Sequence, residues 1–357
     1  MATSSTRDVV GPDGTKFFTK TWLPPRSVQT RAVVLFVHGF IEHVRRYDHV
    51  YPLYAEKGIA VFAYDQRGFG QTAFYTRKHS QGQTTWPKQF ADLDFFTKLV
   101  YDELVAPEQT SRPRYFLMGH SMGGAVVLAS QTRPVRLDHA DLFDGGVVST
   151  SPLLRQAPGV KAPQLVVKLG NLVGRAFPTL ALPAAVKPED TCRDERVQRE
   201  YAQDKLCLQR GSFGGVGSML VGGQALVDRD FARWPKHVPV LVCHGEADLV
   251  TDHRASQEFV EKLKDKVRVD DATYKGFEGF YHEMQNEPGQ DKLVFINYVI
   301  DWILERSSSS LEPAQGSTTA AAPPSIEVSP ASPLSTTTSQ IDRVEAASDD
   351  LARGSKL

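Results

Sequence analysis

Ser121, Asp248 and His282 are three residues whose types and order suit acyl-transfer chemistry. Ser121 stands in Gly119-His120-Ser121-Met122-Gly123-Gly124, a G-x-S-x-G string. A β-branched and aromatic run over 114–118 precedes it, and a helical run over 125–131 follows. In that context the turn lifts a serine hydroxyl clear of a sheet, and small residues two positions away on either side leave room for the strained backbone. The helix N-terminus behind it favours developing negative charge. A serine hydroxyl is a weak nucleophile, so it needs a base that is oriented by an acid.

Asp248 lies just past a predicted strand, in His244-Gly245-Glu246-Ala247-Asp248, at the carboxyl edge of a sheet where ligands bind. Glu246 and Asp252 are its rivals. Glu246 is too close to the strand end, and Asp252 is placed to cap a helix starting at His253. His282 follows the last predicted strand, in Gly279-Phe280-Tyr281-His282-Glu283. Only His253 also lies downstream of both Ser121 and Asp248, and it falls inside that helix. A tetrahedral oxyanion needs two aimed donors, each worth about 3 kcal/mol. The backbone N–H groups of Met122 and of Phe40, in His38-Gly39-Phe40, are the natural pair.

Positioning these residues requires a sheet. Strands are predicted over 16–21, 32–37, 59–64, 114–118 and 145–149, and again over 238–243 and 267–274. Between them run amphipathic helices, such as 87–104 with Phe90, Leu93, Phe96, Leu99 and Val100 on one face, and a C-terminal helix over 290–305. The alternation predicts an α/β chain: a mainly parallel sheet with helices on both faces. It divides into 1–151 and 235–306 as two parts of one core, with 152–234 inserted as a helical cap or lid. Leu165, Leu169, Leu172, Val173 and Phe177 form an apolar stripe in the insertion, either packed or turned toward lipid. Residues 307–357, rich in Ser, Thr, Ala and Pro, read as a disordered tail.

Composition narrows the function classes. With 41% hydrophobic and 23% charged residues and a net charge of −1, nothing suggests binding to nucleic acid or to an anionic membrane by charge. The N-terminus lacks the apolar core of a secretory signal, and the most apolar long stretch, 163–186, is broken by Lys168, Asn171, Arg175 and prolines, so no transmembrane segment is expected. Cys192, Cys207 and Cys243 form neither a paired framework nor a metal-spaced set. No cofactor or metal is expected.

At these residues the chain resembles the monoacylglycerol lipase family of α/β-hydrolases, and looks most like its fungal members. The likeness runs from about Gly11 to Leu304 and rests on four blocks: His38-Gly39-Phe40-Ile41-Glu42-His43-Val44-Arg45-Arg46-Tyr47, Asp65-Gln66-Arg67-Gly68-Phe69-Gly70-Gln71-Thr72, the Gly119–Gly124 turn, and His244–Asp248 with Tyr281-His282. The resemblance implies a serine hydrolase cleaving the fatty-acyl ester of a monoacylglycerol or similar lipid ester, with a mobile cap that meets a lipid surface over an apolar tunnel. It also implies that Glu42 and Arg46 lie near the glycerol end of the pocket, the alternative being a structural salt bridge. Ile41 departs from a glycine common in that loop, which puts substrate size in doubt. A lysophospholipase, a general carboxylesterase, an aminopeptidase-like hydrolase or a non-catalytic binding protein would share much of the pattern. An aspartate nucleophile, as in dehalogenases and epoxide hydrolases, is argued against by Ser121.

The chain ends in Ser355-Lys356-Leu357 behind Arg353, a string that a peroxisomal import receptor reads at a free C-terminus. Peroxisome is therefore the expected location, with cytoplasm or lipid droplet as the alternatives.

Overall fold

Alternate residues of the run Ala32–Val37 point to opposite sides, and both sides are buried: Val33, Leu35 and Val37 join one apolar cluster, while Ala32, Val34 and Phe36 join another. Such a strand belongs in a sheet covered on both faces. In the computed structural model, which describes residues 1–75, 80–107, 112–160, 173–174 and 176–307, this is the case. Eight strands form one sheet: β1 (Thr3–Val10), β2 (Lys16–Leu23), β3 (Ala32–Val37), β4 (Ile59–Tyr64), β5 (Arg114–His120), β6 (Gly146–Thr150), β9 (Val240–Gly245) and β10 (Ala272–Phe277). Their order is β1-β2-β4-β3-β5-β6-β9-β10. The first two run antiparallel to their neighbours and the other pairings are parallel.

Helices Trp86–Val100, Met122–Thr132 and His253–Lys262 contribute Phe90, Leu93, Phe96, Val126, Leu128 and Phe259 to one cluster. Helices Tyr51–Glu56 and Asp291–Ser307 contribute Tyr51, Tyr54, Ile296, Val299 and Ile303 to the other. From β3 the chain moves to β4 on one side and then returns to lay β5 on the other. The loops after β3 and β5 therefore diverge at a topological switch point, where open α/β sheets place their ligands.

The insertion between β6 and β9 is less uniform than the helical cap expected. It holds a two-stranded antiparallel ladder, β7 (Ala181–Pro183) with β8 (Arg210–Ser212), beside the helices Glu195–Gln203 and Phe213–Asp228. Leu165, Leu169 and Leu172 of the predicted stripe lie outside the described residues, whereas Phe177 is 62% exposed. Strands on either side of the insertion share one sheet, since β6 pairs directly with β9.

Two other differences have local causes. The strand predicted over 267–274 begins later, at Ala272, because Leu263–Val267 continues the preceding helix as a widened turn that Arg268 ends at φ 61°. Its register is then set by β9, each residue from Ala272 to Phe277 facing one from Val240 to Gly245. β1 was not expected. Its residues are almost all exposed, so no apolar alternation marks it, and it exists by pairing its backbone with β2. No helix among the described residues is long and apolar enough to cross a membrane.

The helix Met122–Thr132 starts hard against the end of β3. A Cβ on Gly123 would overlap the carbonyl oxygens of Val37 and His38, which are backbone atoms and cannot swing away. Gly123→Ala is expected to destabilise the fold by about 1–3 kcal/mol, the usual cost of overpacking. A lowered urea midpoint at unchanged m-value would show it, and a wild-type midpoint would contradict the tight contact.

Candidate active site

Ser121 occupies the turn between β5 and the helix Met122–Thr132 with φ 53° and ψ −118°, a conformation that costs an L-residue about 1–3 kcal/mol. Its surroundings hold it there. The Ser121 N–H donates to the Thr150 carbonyl at 2.9 Å, and the Ser121 carbonyl accepts from the N–H groups of Ala125 and Leu153, both at 3.0 Å. A Cβ on Gly119 would strike the backbone of Gly123, so both flanking glycines are sterically required. Gly39, in the loop after β3, comes so close that a Cβ there would lie 2.9 Å from Ser121 Cβ. That contact brings Phe40 to the same spot, and Phe40 and Ser121 line one cavity. Met122 is the first residue of its helix, so its N–H has no carbonyl one turn back to bond.

Asp248 and His282 meet near this turn, where the His282 ring lies 4.9 Å from that of His120, centroid to centroid. His282 Nδ1 lies 2.7 Å from Asp248 Oδ2, and both side chains are buried. The carboxylate is held from every side. Oδ1 accepts from the N–H groups of Val250 (2.7 Å) and Thr251 (2.9 Å), while Oδ2 also accepts from the Thr251 hydroxyl (2.8 Å) and His244 Nε2 (3.0 Å). Burial by itself would raise this carboxyl. The His282 imidazole and the hydrogen bonds from His244 and His282 outweigh it and hold Asp248 far below the usual carboxylate range. For His282 burial opposes the charged ring, Asp248 outweighs it, and the ring titrates above the ordinary imidazole value. The rivals of Asp248 are elsewhere: Glu246 is exposed, and Asp252 caps the helix His253–Lys262 through the Arg254 N–H at 3.1 Å.

Several neighbours were not singled out from sequence. His244 is fixed by Ser256, whose hydroxyl lies 2.8 Å from its Nδ1, and burial keeps it neutral against the pull of Asp248. Ser151 donates to the His282 carbonyl at 2.8 Å, anchoring that loop to β6. His38 accepts from the Gln66 N–H at Nε2 (2.8 Å) and donates from Nδ1 to the Gly39 carbonyl (2.8 Å), which stiffens the loop carrying Phe40. His244 and Ser151 could have been suspected from their places at strand ends beside the acid and the cap. Gln66 could not.

Glu42 and Arg46 lie beneath the loop carrying Phe40 and are not among the residues lining the cavity with Ser121. Arg46 clasps Glu283 with two bonds of 2.5 and 2.7 Å and reaches Glu42 at 3.4 Å. Glu42 accepts from the Gly39 N–H and from the Tyr47 hydroxyl. Burial, reinforced by Glu283, pushes Glu42 up to about 7 despite Arg46, whereas the guanidinium fork on Glu283 outweighs burial and holds that residue down to about 2. The network ties the loop after β3 to the residue next to His282. Ile41 sits between Phe40 and Glu42 at φ 61° with its side chain in the core, so it rigidifies the loop without facing the cavity.

The cavity over Ser121 measures about 510 Å³. Its walls are largely apolar and come mostly from the insertion: Leu153, Leu182, Val186, Phe213, Val216, Met219 and Leu220, completed by Leu249. A hydroxyl on a strained turn in the wall of an apolar chamber and an imidazole bound to a buried carboxylate together suit acyl transfer from a substrate with a hydrocarbon chain.

The comparisons with known proteins agree with this geometry. Residues 28–289 match the family described as Serine aminopeptidase, S33. An abhydrolase domain-containing protein of Dictyostelium discoideum is 32% identical over 305 residues, 85% of this chain, which spans 29% of that longer protein. The monoacylglycerol lipase of Mycolicibacterium smegmatis is 28% identical over 85% of this chain and 98% of its own length. Among solved structures, a soluble variant of the monoglyceride lipase of Saccharomyces cerevisiae superposes with a TM-score of 0.72 at 21% identity, covering 85% of this chain and 97% of that one. The chain therefore belongs to the serine aminopeptidase S33 family and has the α/β-hydrolase fold of its monoglyceride lipase relatives.

Proposed function

We propose that the protein is a serine hydrolase that cleaves the fatty-acyl ester of monoacylglycerols, releasing fatty acid and glycerol through an acyl-enzyme on Ser121. The observation that carries this reading is that Ser121 lines the 510 Å³ apolar cavity while its neighbour His120 lies against the ring of His282, centroids 4.9 Å apart, which Asp248 holds. The acyl chain occupies the cavity under the insertion. Ser121 Oγ attacks the ester carbonyl, and His282 Nε2 takes the hydroxyl proton while Asp248 holds Nδ1–H. The N–H groups of Phe40 and Met122 receive the oxyanion. His282 returns the proton to the departing glycerol oxygen, and a water activated by the same imidazole then hydrolyses the acyl-enzyme. Glu42 and Arg46 act from below, fixing the loop that presents the Phe40 N–H. Exposed Phe177 and Leu180 on the insertion support a cap that rests on a lipid surface.

Ser121→Ala is expected to abolish hydrolysis of monoacylglycerols and labelling by a fluorophosphonate, with thermal unfolding unchanged. A panel of mono-, di- and triacylglycerols, lysophospholipids, p-nitrophenyl esters and aminoacyl amides tests the substrate class. Preference for any class over monoacylglycerols overturns that assignment while leaving the nucleophile in place.

The charge on Asp248 sets the pH dependence. The base must be neutral to accept a proton, and Asp248 raises the His282 value. The acid limb of kcat/KM is therefore expected above pH ~6.5, the ordinary imidazole value. Asp248→Asn removes the charge and leaves the burial, so it should lower kcat by about four powers of ten and move that limb downward. A limb at or below the ordinary value in the wild type contradicts the pairing.

We also propose peroxisomal targeting through Ser355-Lys356-Leu357, which lie outside the described residues. A fluorescent protein fused at the N-terminus is expected to coincide with a peroxisomal marker and to lose that pattern when the three residues are removed. Identical cytoplasmic or droplet-bound patterns for both forms exclude the address.

A further inference from the structure

A second group of chemically capable side chains lies away from the triad. His43, Asp204 and Cys207 present an imidazole nitrogen, a carboxylate oxygen and a thiol sulfur, all within 4.8 Å of one another. His43 follows the Phe40 loop, whereas Asp204 and Cys207 belong to the insertion, so the cluster exists only when the two segments meet. His43 and Cys207 are buried and Asp204 is half-buried.

The local geometry already aims these atoms. Asp204 and Cys207 are joined by a turn in which the Cys207 N–H donates to the Asp204 carbonyl at 3.0 Å. The Leu206 N–H takes Asp204 Oδ1 at 2.8 Å, leaving Oδ2 to face His43 Nε2 at 2.8 Å. The other ring nitrogen of His43 is buried with no hydrogen-bond partner, so the ring is only half satisfied by the protein. A cavity of about 310 Å³, lined by His43 and Asp204 among others, gives solvent a path to the group.

A thiolate, an imidazole and a carboxylate form the ligand set of a borderline-soft divalent ion, with a tetrahedral fourth position left for water. We propose that His43, Asp204 and Cys207 form a regulatory Zn²⁺ site that pins the insertion to the loop carrying Phe40 and slows turnover. Binding exchanges one proton per ion: Cys207 loses its thiol proton to solvent as the Zn–S bond forms, and the ring proton that His43 Nε2 directs at Asp204 passes to Nδ1 as Nε2 binds. The thiolate and the carboxylate neutralise the ion. Of the cations around the cavity, Arg46 is held by Glu283 and Arg196 by Glu200, while Arg45 and Lys292 oppose the approach of a cation. The site is thus suited to reversible occupancy rather than to permanent structural metal. Its effect on turnover rests on the hydrolase reading above, but metal binding does not.

The test titrates Co²⁺ into the purified full chain and reads the thiolate-to-metal charge-transfer absorption, followed by displacement with Zn²⁺ and a count of released protons. The absorption and one proton per ion are expected in the wild type and in Ser121→Ala. Cys207→Ser should lose the absorption, Asp204→Asn should weaken binding by more than about tenfold, and Cys192→Ser should change neither. Ester hydrolysis should fall on adding Zn²⁺ and recover with EDTA in the wild type, with Cys207→Ser insensitive. Matching melting curves of the metal-free variants establish that they fold. Absence of the absorption, or its persistence in Cys207→Ser, overturns the site. Equal Zn²⁺ inhibition of wild type and Cys207→Ser places the ion elsewhere, such as on His282, and overturns the regulatory role. If no ester is hydrolysed, the function reading fails while the absorption still decides the site.

Discussion

The close approach of the helix Met122–Thr132 to the end of β3 is the constraint on which the site depends. Gly123 packs on the carbonyls of Val37 and His38 with no room for a side chain, and Gly119 packs on Gly123 in turn. These contacts force the chain to reverse within a single residue, and Ser121 takes the positive φ that results. The strain is offset by three backbone hydrogen bonds to Ser121 and by the apolar cluster that Met122, Ala125 and Val126 join below it. The same contact sets the distance between the loop after β3 and the serine, so Ser121 and the loop carrying Phe40 are positioned by one packing event.

Asp248 poses the complementary problem, a buried charge. An unpaired carboxylate in such a place would be strongly disfavoured. Here two backbone N–H groups, a hydroxyl and two imidazoles converge on its two oxygens. The donors come from the loop after β9, from β9 itself and from the loop after β10, so the charge is compensated only once those strands are in register. His244 and Ser256 extend the arrangement by fixing which ring nitrogen faces the acid. The stabilised carboxylate then raises the basicity of His282, so the packing of the sheet edge sets the character of that imidazole.

The insertion encloses the space above Ser121. It supplies most of the apolar wall above Ser121, and its Phe213–Asp228 helix lies so close to Leu153 that only a glycine fits at position 223. On the other side, Tyr201 of the insertion stacks on Arg46, whose charge is shared between Glu283 and Glu42. The insertion is thereby in contact with the same arginine that ties the loop carrying Phe40 to the residue after His282.

Much of this was legible in the chain itself. β3 and β4 match their predicted limits because uninterrupted apolar runs buried on both faces leave one solution, and the G-x-S-x-G string marked the turn because glycine spacing there is a steric necessity. The order Ser121, Asp248, His282 followed from chain direction and strand ends. Other features were decided by partners distant in sequence. β1 has no pattern of its own and exists through β2, β10 takes its start from β9, and the β7–β8 ladder joins residues about thirty positions apart. Glu42 and Arg46 were singled out by the family resemblance, but whether they faced a ligand or each other depended on Glu283, more than two hundred positions away. Local preference and periodicity act over a few residues and could be read directly. Register, charge compensation and the walls of a cavity are properties of contacts between segments, and only the tertiary structure determined them.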